Sequence, residues 1–309
     1  MMDYRYDALS AQGTGFLPNV TVLNGSTVPE SVGSYLNQER LVSYLGRVSY
    51  NYLDKYFIEG SVRTDGSTRF SPETRWGEFY SVGGAWVVSK ENWFQNNVMN
   101  FLKFKGSYGE LGNNATSSYF PYMSVFGTGW NQLGETGILL GGVVDYNLSW
   151  EKQGMMNFGA EMGFFNNRIT ANVEYYDKES TDLIYAKPLP ISTGNSSITT
   201  NVGGLRNYGW EFDISSTNIS KPNFTWRTSL NMSFNKNEIT ELTQESFISG
   251  SKRWAVGQSL YDFFLVEWAG VDPETGMGTW WYDKTDASGN VTREKTDNYS
   301  LANVEGSKR

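Results

Sequence analysis

The residues of this sequence that could take part in chemistry are carboxylates, basic side chains and many aromatic rings. The 309 residues include no Cys and no His, so Ser-His-Asp and Cys-His nucleophiles and most transition-metal sites are unavailable to them. Carboxylates two residues apart on one strand, such as Glu211 and Asp213, do not form an acid and base pair across a cleft. The sequence therefore predicts no catalytic residue, no cofactor and no metal site, and it argues against an enzyme.

Binding through aromatic rings is the chemistry that the composition does favour, because 16% of the residues are Phe, Trp or Tyr. Five tryptophans in polar connecting segments are candidates for contact with a substrate or a partner: Trp76, Trp130, Trp254, Trp280 and Trp281. Such rings could stack on sugars or pack against another protein, and equally they could fix long loops against neighbouring side chains.

The elements that must position these rings are predicted from alternation along the chain. Eight segments place uncharged residues at every second position: 41–52, 56–63, 79–88, 101–108, 155–164, 168–176, 207–215 and 224–234. In the first of them these positions are Val42, Tyr44, Gly46, Val48, Tyr50 and Tyr52. Successive side chains of a strand point to opposite sides, so these positions define one uncharged face of a sheet.

The opposite positions of the same segments form a charged face. It carries Arg47, Glu59, Arg63, Lys103, Lys105, Glu161, Arg168, Glu174, Glu211, Asp213 and Arg227. One apolar and one polar surface per strand is typical of a membrane β-barrel with a wet interior. The charges could line a substrate path, or they could pair with each other or with a domain inside the barrel.

The connectors between these segments alternate in length. The short ones are 53–55, 89–100, 165–167 and 216–223, and the long ones are 64–78, 109–154, 177–206 and 235–309. Barrels of the outer membrane have tight periplasmic turns and long extracellular loops, so the short connectors are predicted to be periplasmic. Asn166-Asn167 and Asp54-Lys55 suit tight hairpin turns.

Aromatic residues recur near both ends of the uncharged face. Tyr50, Tyr52, Tyr56, Trp86 and Phe164 lie toward the short turns, and Tyr80, Tyr108, Tyr175, Tyr208 and Phe234 lie toward the long loops. Two girdles of amphipathic rings at the lipid headgroups would give this pattern, and the general preference of strands for aromatic residues is the alternative.

Composition narrows the classes of function further. A net charge of −8 without a basic cluster argues against nucleic acid as a partner. No apolar run reaches the roughly 18–20 residues of a membrane-spanning helix. The remaining alternative to a barrel is a secreted soluble β-sandwich that binds glycans, although a sandwich spaces its turns more evenly than this sequence does.

Several motifs resemble the SusC/RagA family of TonB-dependent outer-membrane transporters of Bacteroidota. They are Arg69-Phe70, the run from Arg75 to Trp86, the run from Phe101 to Gly109 with Gly112-Asn113, Trp150-Glu151-Lys152, Tyr175 to Lys178 with Asp182-Leu183, Asn201-Val202-Gly203, Asn207 to Glu211, and Val271 to Gly276. Their order and spacing over residues 36–282 make the resemblance specific.

The resemblance implies an all-β, antiparallel transmembrane barrel of about 22 strands, of which this sequence holds about eight. Residues 1–40 and 235–309 would then be extracellular loop regions and 41–234 the barrel strands, with the plug domain and the C-terminal strands outside the sequence. It also implies a location in the outer membrane, import of glycans or peptides, a SusD-like lipoprotein over the mouth, and coupling to TonB through parts outside this chain.

Overall fold

The protein is a chain of β-strands in a computed structural model that describes residues 1–20, 22–286 and 289–306. Over these ranges it contains 20 strands and four short 3₁₀ helices, at Leu23–Gly25, Val88–Lys90, Ile191–Thr193 and Tyr299–Leu301. No helix in the described part of the chain has the length and apolar character needed to cross a membrane.

Nine strands form the main sheet, and every neighbouring pair is antiparallel. In sheet order they are β1 (Met2–Thr14), β2 (Val28–Tyr52), β3 (Tyr56–Ser67), β4 (Trp76–Val87), β5 (Met99–Asn113), β8 (Glu151–Phe164), β9 (Ile169–Thr181), β12 (Gly204–Lys221) and β13 (Phe224–Glu241). Strands that are consecutive in the sheet are also consecutive along the chain, apart from small hairpins inserted in the loops. This up-and-down order is the one predicted for neighbouring barrel strands, and within the described residues the sheet is open, with β1 and β13 at its edges.

All eight predicted strands are present, and most of them extend beyond the predicted ends. The structure differs in residues 1–40, which were predicted as a loop. Strand β1 and the first part of β2 form a hairpin there, with Met2 opposite Leu41 and Thr14 opposite Val28. The main sheet therefore has nine strands instead of eight, because backbone pairing continues where the apolar band of the uncharged face has ended.

The remaining strands form small sheets within the long connectors. They are the pair β6 (Phe126–Gln132) and β7 (Glu135–Leu140), the pair β10 (Ile184–Pro188) and β11 (Ser197–Asn201), and the pair β14 (Ser246–Ser249) and β15 (Lys252–Ala255). Strand β16 (Phe264–Val266) pairs with β20 (Val304–Gly306), and β17 (Trp268–Val271), β18 (Gly278–Thr285) and β19 (Val291–Thr296) form a three-stranded sheet.

Two tight turns set the register of their hairpins. Phe165, Asn166 and Asn167 all have φ between 53° and 60°, so the predicted turn at Asn166-Asn167 is confirmed and begins one residue earlier. In the first hairpin Leu53 and Asp54 have φ of 54° and 53°, which shifts the turn back by one residue from the predicted Asp54-Lys55. Left-handed φ at two central residues matches the twist of the flanking strands.

The register aligns the uncharged positions of all eight predicted segments across the sheet. Val48 lies opposite Gly60, Gly60 opposite Val82, and Val82 opposite Tyr108. On the other half of the sheet, Phe158 lies opposite Tyr175 and Tyr175 opposite Trp210. Directly opposed residues share a side of a sheet, so one continuous uncharged face runs from β2 to β13.

Much of this uncharged face is exposed, although its positions on β9 are half-buried. Val48 is 73% exposed, Ile58 61%, Phe158 56% and Phe234 62%. A β-sandwich would bury such a face against a second sheet, so the soluble sandwich alternative is wrong. Solvent-exposed valine, isoleucine and phenylalanine in a continuous band are the side chains that a bilayer would cover.

Candidate functional site

The charged face carries a chain of ion pairs across three neighbouring strands. The Lys105 Nζ lies 2.8 Å from a carboxylate oxygen of Glu174 and 3.6 Å from one of Glu161, and Lys103 lies 3.4 Å from Glu161. The structure thus brings together four of the predicted charges, on β5, β8 and β9. With two lysines between two glutamates, this group is electrically balanced.

Two more pairs lie on the first strands of this face. Arg47 on β2 contacts Glu59 on β3 at 2.5 Å, and Arg63 contacts Asp65 on its own strand at 2.8 Å. Most of the predicted charges on this half of the sheet therefore neutralise one another.

The other predicted charges of this face behave differently. Arg168 donates from Nε to the backbone carbonyl of Thr217 at 2.8 Å, and also donates to the carbonyl of Asn218. Glu211 lies directly opposite Glu174 in the register, and Asp213 lies opposite Asn172. Within the described ranges, Glu211, Asp213 and Arg227 form no salt bridge. Glu211 and Asp213 of β12 therefore have no basic partner in the described part of the chain, although the side chain of Asn231 can donate to Asp213 at 2.9 Å.

A cavity of about 450 Å³ lies against the charged face. Its lining includes Ser49, Glu59, Lys105, Ser107, Asn157 and Glu174. Phe57, Ile58 and Ala85 also line it, together with three glycines, so its surface combines charged and hydroxyl groups with apolar groups.

The aromatic residues at the turn end of the uncharged face form a stacked row. Tyr52, Tyr56 and Trp86 follow one another with ring centroids 6.4 Å apart, and Trp93 lies 6.3 Å from Trp86. Tyr50 is exposed beside them, and Phe164 lies opposite Ile169 at the same end of β8. This arrangement has the form of the predicted girdle on the turn side.

Glu91 anchors this row from the connector below it. The Tyr56 hydroxyl donates to its Oε1 at 2.6 Å, Lys55 Nζ lies 3.0 Å from Oε2, and the Trp86 indole Nε1 donates at 3.1 Å. The hydrogen bond from Tyr56, followed by those from Lys55 and Trp86, lowers the pKa of the Glu91 carboxyl to about 2. Hydrogen bonds that stabilise the ionised form have this effect.

The aromatic residues at the loop end are joined to polar groups in a similar way. The hydroxyls of Tyr80 and Tyr108 lie 3.1 Å and 3.3 Å from Glu110. The guanidinium of Arg206 lies 4.9 Å from the centre of the Tyr208 ring. Across the sheet, Tyr175, Trp210, Phe212 and Phe234 follow one another at 5.2 to 6.3 Å. Rings with apolar bodies and polar tips suit the headgroup boundary.

The five candidate tryptophans occupy different environments. Trp76 lies on β4, on the side of the uncharged face, and stacks on Tyr44 at 6.3 Å. Trp130 is 58% exposed on β6. Trp254 packs against Tyr185 and Phe247, Trp280 against Trp268 and Tyr299, and Trp281 is flanked by Arg293 and Lys295. The structure does not bring the five together in one site.

The loop between β3 and β4 folds onto the charged face and forms a small dry core that the sequence did not predict. Phe70, Phe79, Leu148 and Trp150 are at most 5% exposed and form one cluster. Phe70 and Phe79 contact Trp150 at 5.5 Å and 5.6 Å, and the Trp150 indole donates to the Arg75 carbonyl at 2.8 Å.

Arg69 fixes this loop from its other side. It donates to Glu39 of β2 at 2.8 Å and to the Thr116 carbonyl at 2.9 Å, and its guanidinium lies 4.7 Å from the Tyr119 ring. Asn114 donates to the same Glu39 carboxylate at 3.2 Å. Arg69-Phe70 and Arg75-Trp76 were among the motifs of the sequence, so the motif was visible although its packing role was not.

The comparisons agree on one family. The family described as "TonB dependent receptor-like, beta-barrel" matches residues 1–308. TonB-dependent receptor P26 of Formosa agariphila is 36% identical over 264 residues, which is 81% of this chain and 26% of that protein. TonB-dependent receptor SusC of Bacteroides thetaiotaomicron is 36% identical over 218 residues, which is 68% of this chain and 22% of that protein.

A solved structure entitled "Structure of the RagAB peptide transporter" is similar over 98% of this chain and 34% of that chain, with a TM-score of 0.87 and 27% sequence identity. The present chain spans about a quarter of the length of the curated relatives that it matches.

Proposed function

Because the chain belongs to the TonB-dependent receptor-like β-barrel family of the outer membrane, we propose that it forms part of the wall of a transporter that imports glycans or peptides. The observation that carries this proposal is the exposed uncharged face on one side of the strands and the face of paired charges on the other. A lipid-covered wall around an aqueous path requires both surfaces on the same strands.

The orientation of this wall follows from the connectors. The short turns, including 53–55 and 165–167, lie on the periplasmic side, and the long connectors with their small hairpins lie outside the cell. Residues 235–309 contribute an extracellular loop region, and β1 with the first part of β2 continues the wall beyond the membrane. The plug belongs to other parts of the full-length protein.

Two protein partners complete the transporter. TonB supplies energy through parts of the protein outside these residues, and a SusD-like lipoprotein covers the extracellular mouth. The relatives named SusC and RagAB support this assignment. The role is one of binding and passage without catalysis, in keeping with a family of receptors.

The proposal is tested with the gene for the full-length protein deleted and then restored in its own organism. Membranes of both strains are separated, and uptake of fluorescein-labelled peptides and of labelled malto-oligosaccharides is measured in each. We expect the protein in the outer-membrane fraction, loss of uptake of one of the two classes on deletion, and the same loss when TonB is removed. Recovery of the protein in the soluble fraction, or unchanged uptake of both classes, contradicts the proposal.

A further inference from the structure

The connector of residues 88–98, between β4 and β5, joins two neighbouring turns at the same end of the sheet. Just before it, the Val87 N–H donates to the carbonyl of Lys55 at 2.8 Å. At its end, the carbonyl of Val98 accepts from the N–H of Phe165 at 2.8 Å. These bonds link three segments into one continuous edge, which we call the turn rim: 53–55, 88–98 and 165–167.

The connector lies against the uncharged face of the sheet. Glu91 accepts hydrogen bonds from Tyr56 and Trp86, and the Trp93 ring centroid lies 6.3 Å from that of Trp86. Tyr56 and Trp86 are opposite each other in the register, and both belong to the uncharged face. Trp93 is therefore on the lipid side of the strands and not on the charged side.

The turn rim exposes large apolar side chains. Trp93 and Leu53 are each 66% exposed, and Val98 and Phe165 are each about half exposed. Phe94 packs edge-on against Trp93, with ring centroids 6.2 Å apart. Leu53 and Phe165 also have φ of 54° and 53°, a region in which Asn, Asp and Gly are the usual residues. Bulky apolar residues thus occupy turn positions where a surface in water normally carries polar ones.

The charges of the turn rim are balanced. Lys55 Nζ lies 3.0 Å from a carboxylate oxygen of Glu91, and both side chains are largely buried. Lys90 Nζ lies 4.0 Å from a carboxylate oxygen of Asp54, and these four are the charged residues of the three segments. A surface with equal numbers of both signs suits a zwitterionic phospholipid, whose headgroup carries one phosphate and one ammonium.

We propose that the turn rim is a membrane anchor, in which Trp93, Phe94, Leu53 and Phe165 insert between the headgroups and the acyl chains of a phospholipid leaflet. Tryptophan prefers this boundary because its ring is apolar and its N–H is polar. The exposed rings are continuous with the lipid-facing row of Tyr56 and Trp86, and this continuity makes lipid the occupant. The inference goes beyond the proposed import function and rests only on the outer-membrane location of the family.

The anchor is tested with nitroxide spin labels in the full-length protein, reconstituted in phosphatidylcholine vesicles. This chain has no Cys, and any Cys elsewhere in the full-length protein is replaced by Ser. The label is placed on Trp93→Cys, with Ile58→Cys as the lipid reference and Ile191→Cys as the water reference. Ile58 is 61% exposed on the uncharged face, and Ile191 is 96% exposed in a long connector.

Collisions of the label with oxygen, which concentrates in lipid, and with a nickel chelate, which stays in water, report its depth. For the label at Trp93 we expect an oxygen-to-nickel ratio between those of the two references. A ratio equal to that of Ile191 would place Trp93 in water and overturn the proposal. Few collisions with either reagent would show that another part of the protein covers Trp93, which also overturns it.

The reference label at Ile58 separates failure of the anchor from failure of the membrane assignment. If Ile58 collides with the nickel chelate as often as Ile191 does, lipid does not cover the uncharged face, and both the anchor and the barrel assignment are wrong. If Ile58 is in lipid and Trp93 is in water, the anchor alone is wrong.

A variant of Glu91 tests how the connector is held in place. Glu91→Ala removes the acceptor shared by Tyr56 and Trp86, so we expect the ratio of the label at Trp93 to shift toward the water reference. Asn92→Ala, at the neighbouring exposed residue, should leave the ratio unchanged. Each variant is also measured with the label at Ile58 to confirm that the sheet is intact. An unchanged ratio in Glu91→Ala would overturn the positioning role of Glu91.

Discussion

The two faces of the main sheet use the same strands in opposite ways. On the uncharged face, Val48 and Phe158 are more than half exposed and depend on lipid for cover. On the charged face, the lysines and glutamates of β5, β8 and β9 pair with one another, and the only extensive dry packing in the described part of the chain is the cluster around Phe70 and Trp150. Stability thus comes from the bilayer on one side and from local contacts on the other.

The largest effect should come from the dry cluster of Phe70, Phe79, Leu148 and Trp150 on the charged face. Phe70→Ala removes a fully buried ring and leaves a cavity, so we expect the free energy of unfolding of the full-length protein to fall by about 3–5 kcal/mol. Urea unfolding in lipid vesicles measures it. Phe126→Ala, at an exposed position, is the control, and an equal loss in both variants would contradict the assignment of Phe70 to a core.

A charge introduced on each face of one strand compares the faces directly. Val48→Arg places a guanidinium on the uncharged face near the middle of the apolar band and should cost about 2–4 kcal/mol. Ser49→Arg, one residue along, points to the charged face opposite Glu59 and should cost less than about 1 kcal/mol. Equal costs, measured by the same vesicle unfolding, would mean that lipid does not cover Val48.

The ion pairs of the charged face should contribute little. Lys105→Met leaves Glu161 and Glu174 without their shared cation, but the Lys105 side chain is 33% exposed, so we expect a loss of about 1 kcal/mol or less. The loss should shrink in 1 M salt, because mobile ions screen exposed charges, and Lys105→Arg should restore stability. A loss that does not change with salt would indicate packing instead of charge.

The smallest effect concerns the edge of the uncharged face, where Glu91 binds Tyr56, Lys55 and Trp86. Its pKa falls from 4.5 to about 2 on folding, so the unfolded chain binds the proton more strongly. The stabilisation is then complete above pH 4.5 and is lost as the pH falls toward 2. In the Glu91→Gln variant the thermal midpoint should depend less on pH between 4.5 and about 2. Glu73→Gln, which replaces an exposed carboxylate on the loop side, should keep the pH dependence of the unaltered protein.

The difference between the faces also explains what could be predicted from sequence. Strands in a bilayer must alternate strictly, so the eight strands β2, β3, β4, β5, β8, β9, β12 and β13 were predicted together with their faces, whereas the short strands in the loops were not. Strand β1 was missed, although uncharged Met2, Tyr4 and Tyr6 alternate there with charged residues. The Phe70 cluster was not predictable, because its partners Leu148 and Trp150 lie almost 80 residues away and no periodicity specifies such contacts.

The distance between two aromatic rings of β2 can be compared with the thickness of the membrane. Tyr44 and Tyr52 are eight residues apart on one strand, which is about 26 Å along the chain and about 20 Å in height at the usual strand tilt. A bilayer thinner than average, such as that of the bacterial outer membrane, matches this height best. In a thicker bilayer the lipid around β2 would have to thin locally to match this height, at a modest cost in free energy.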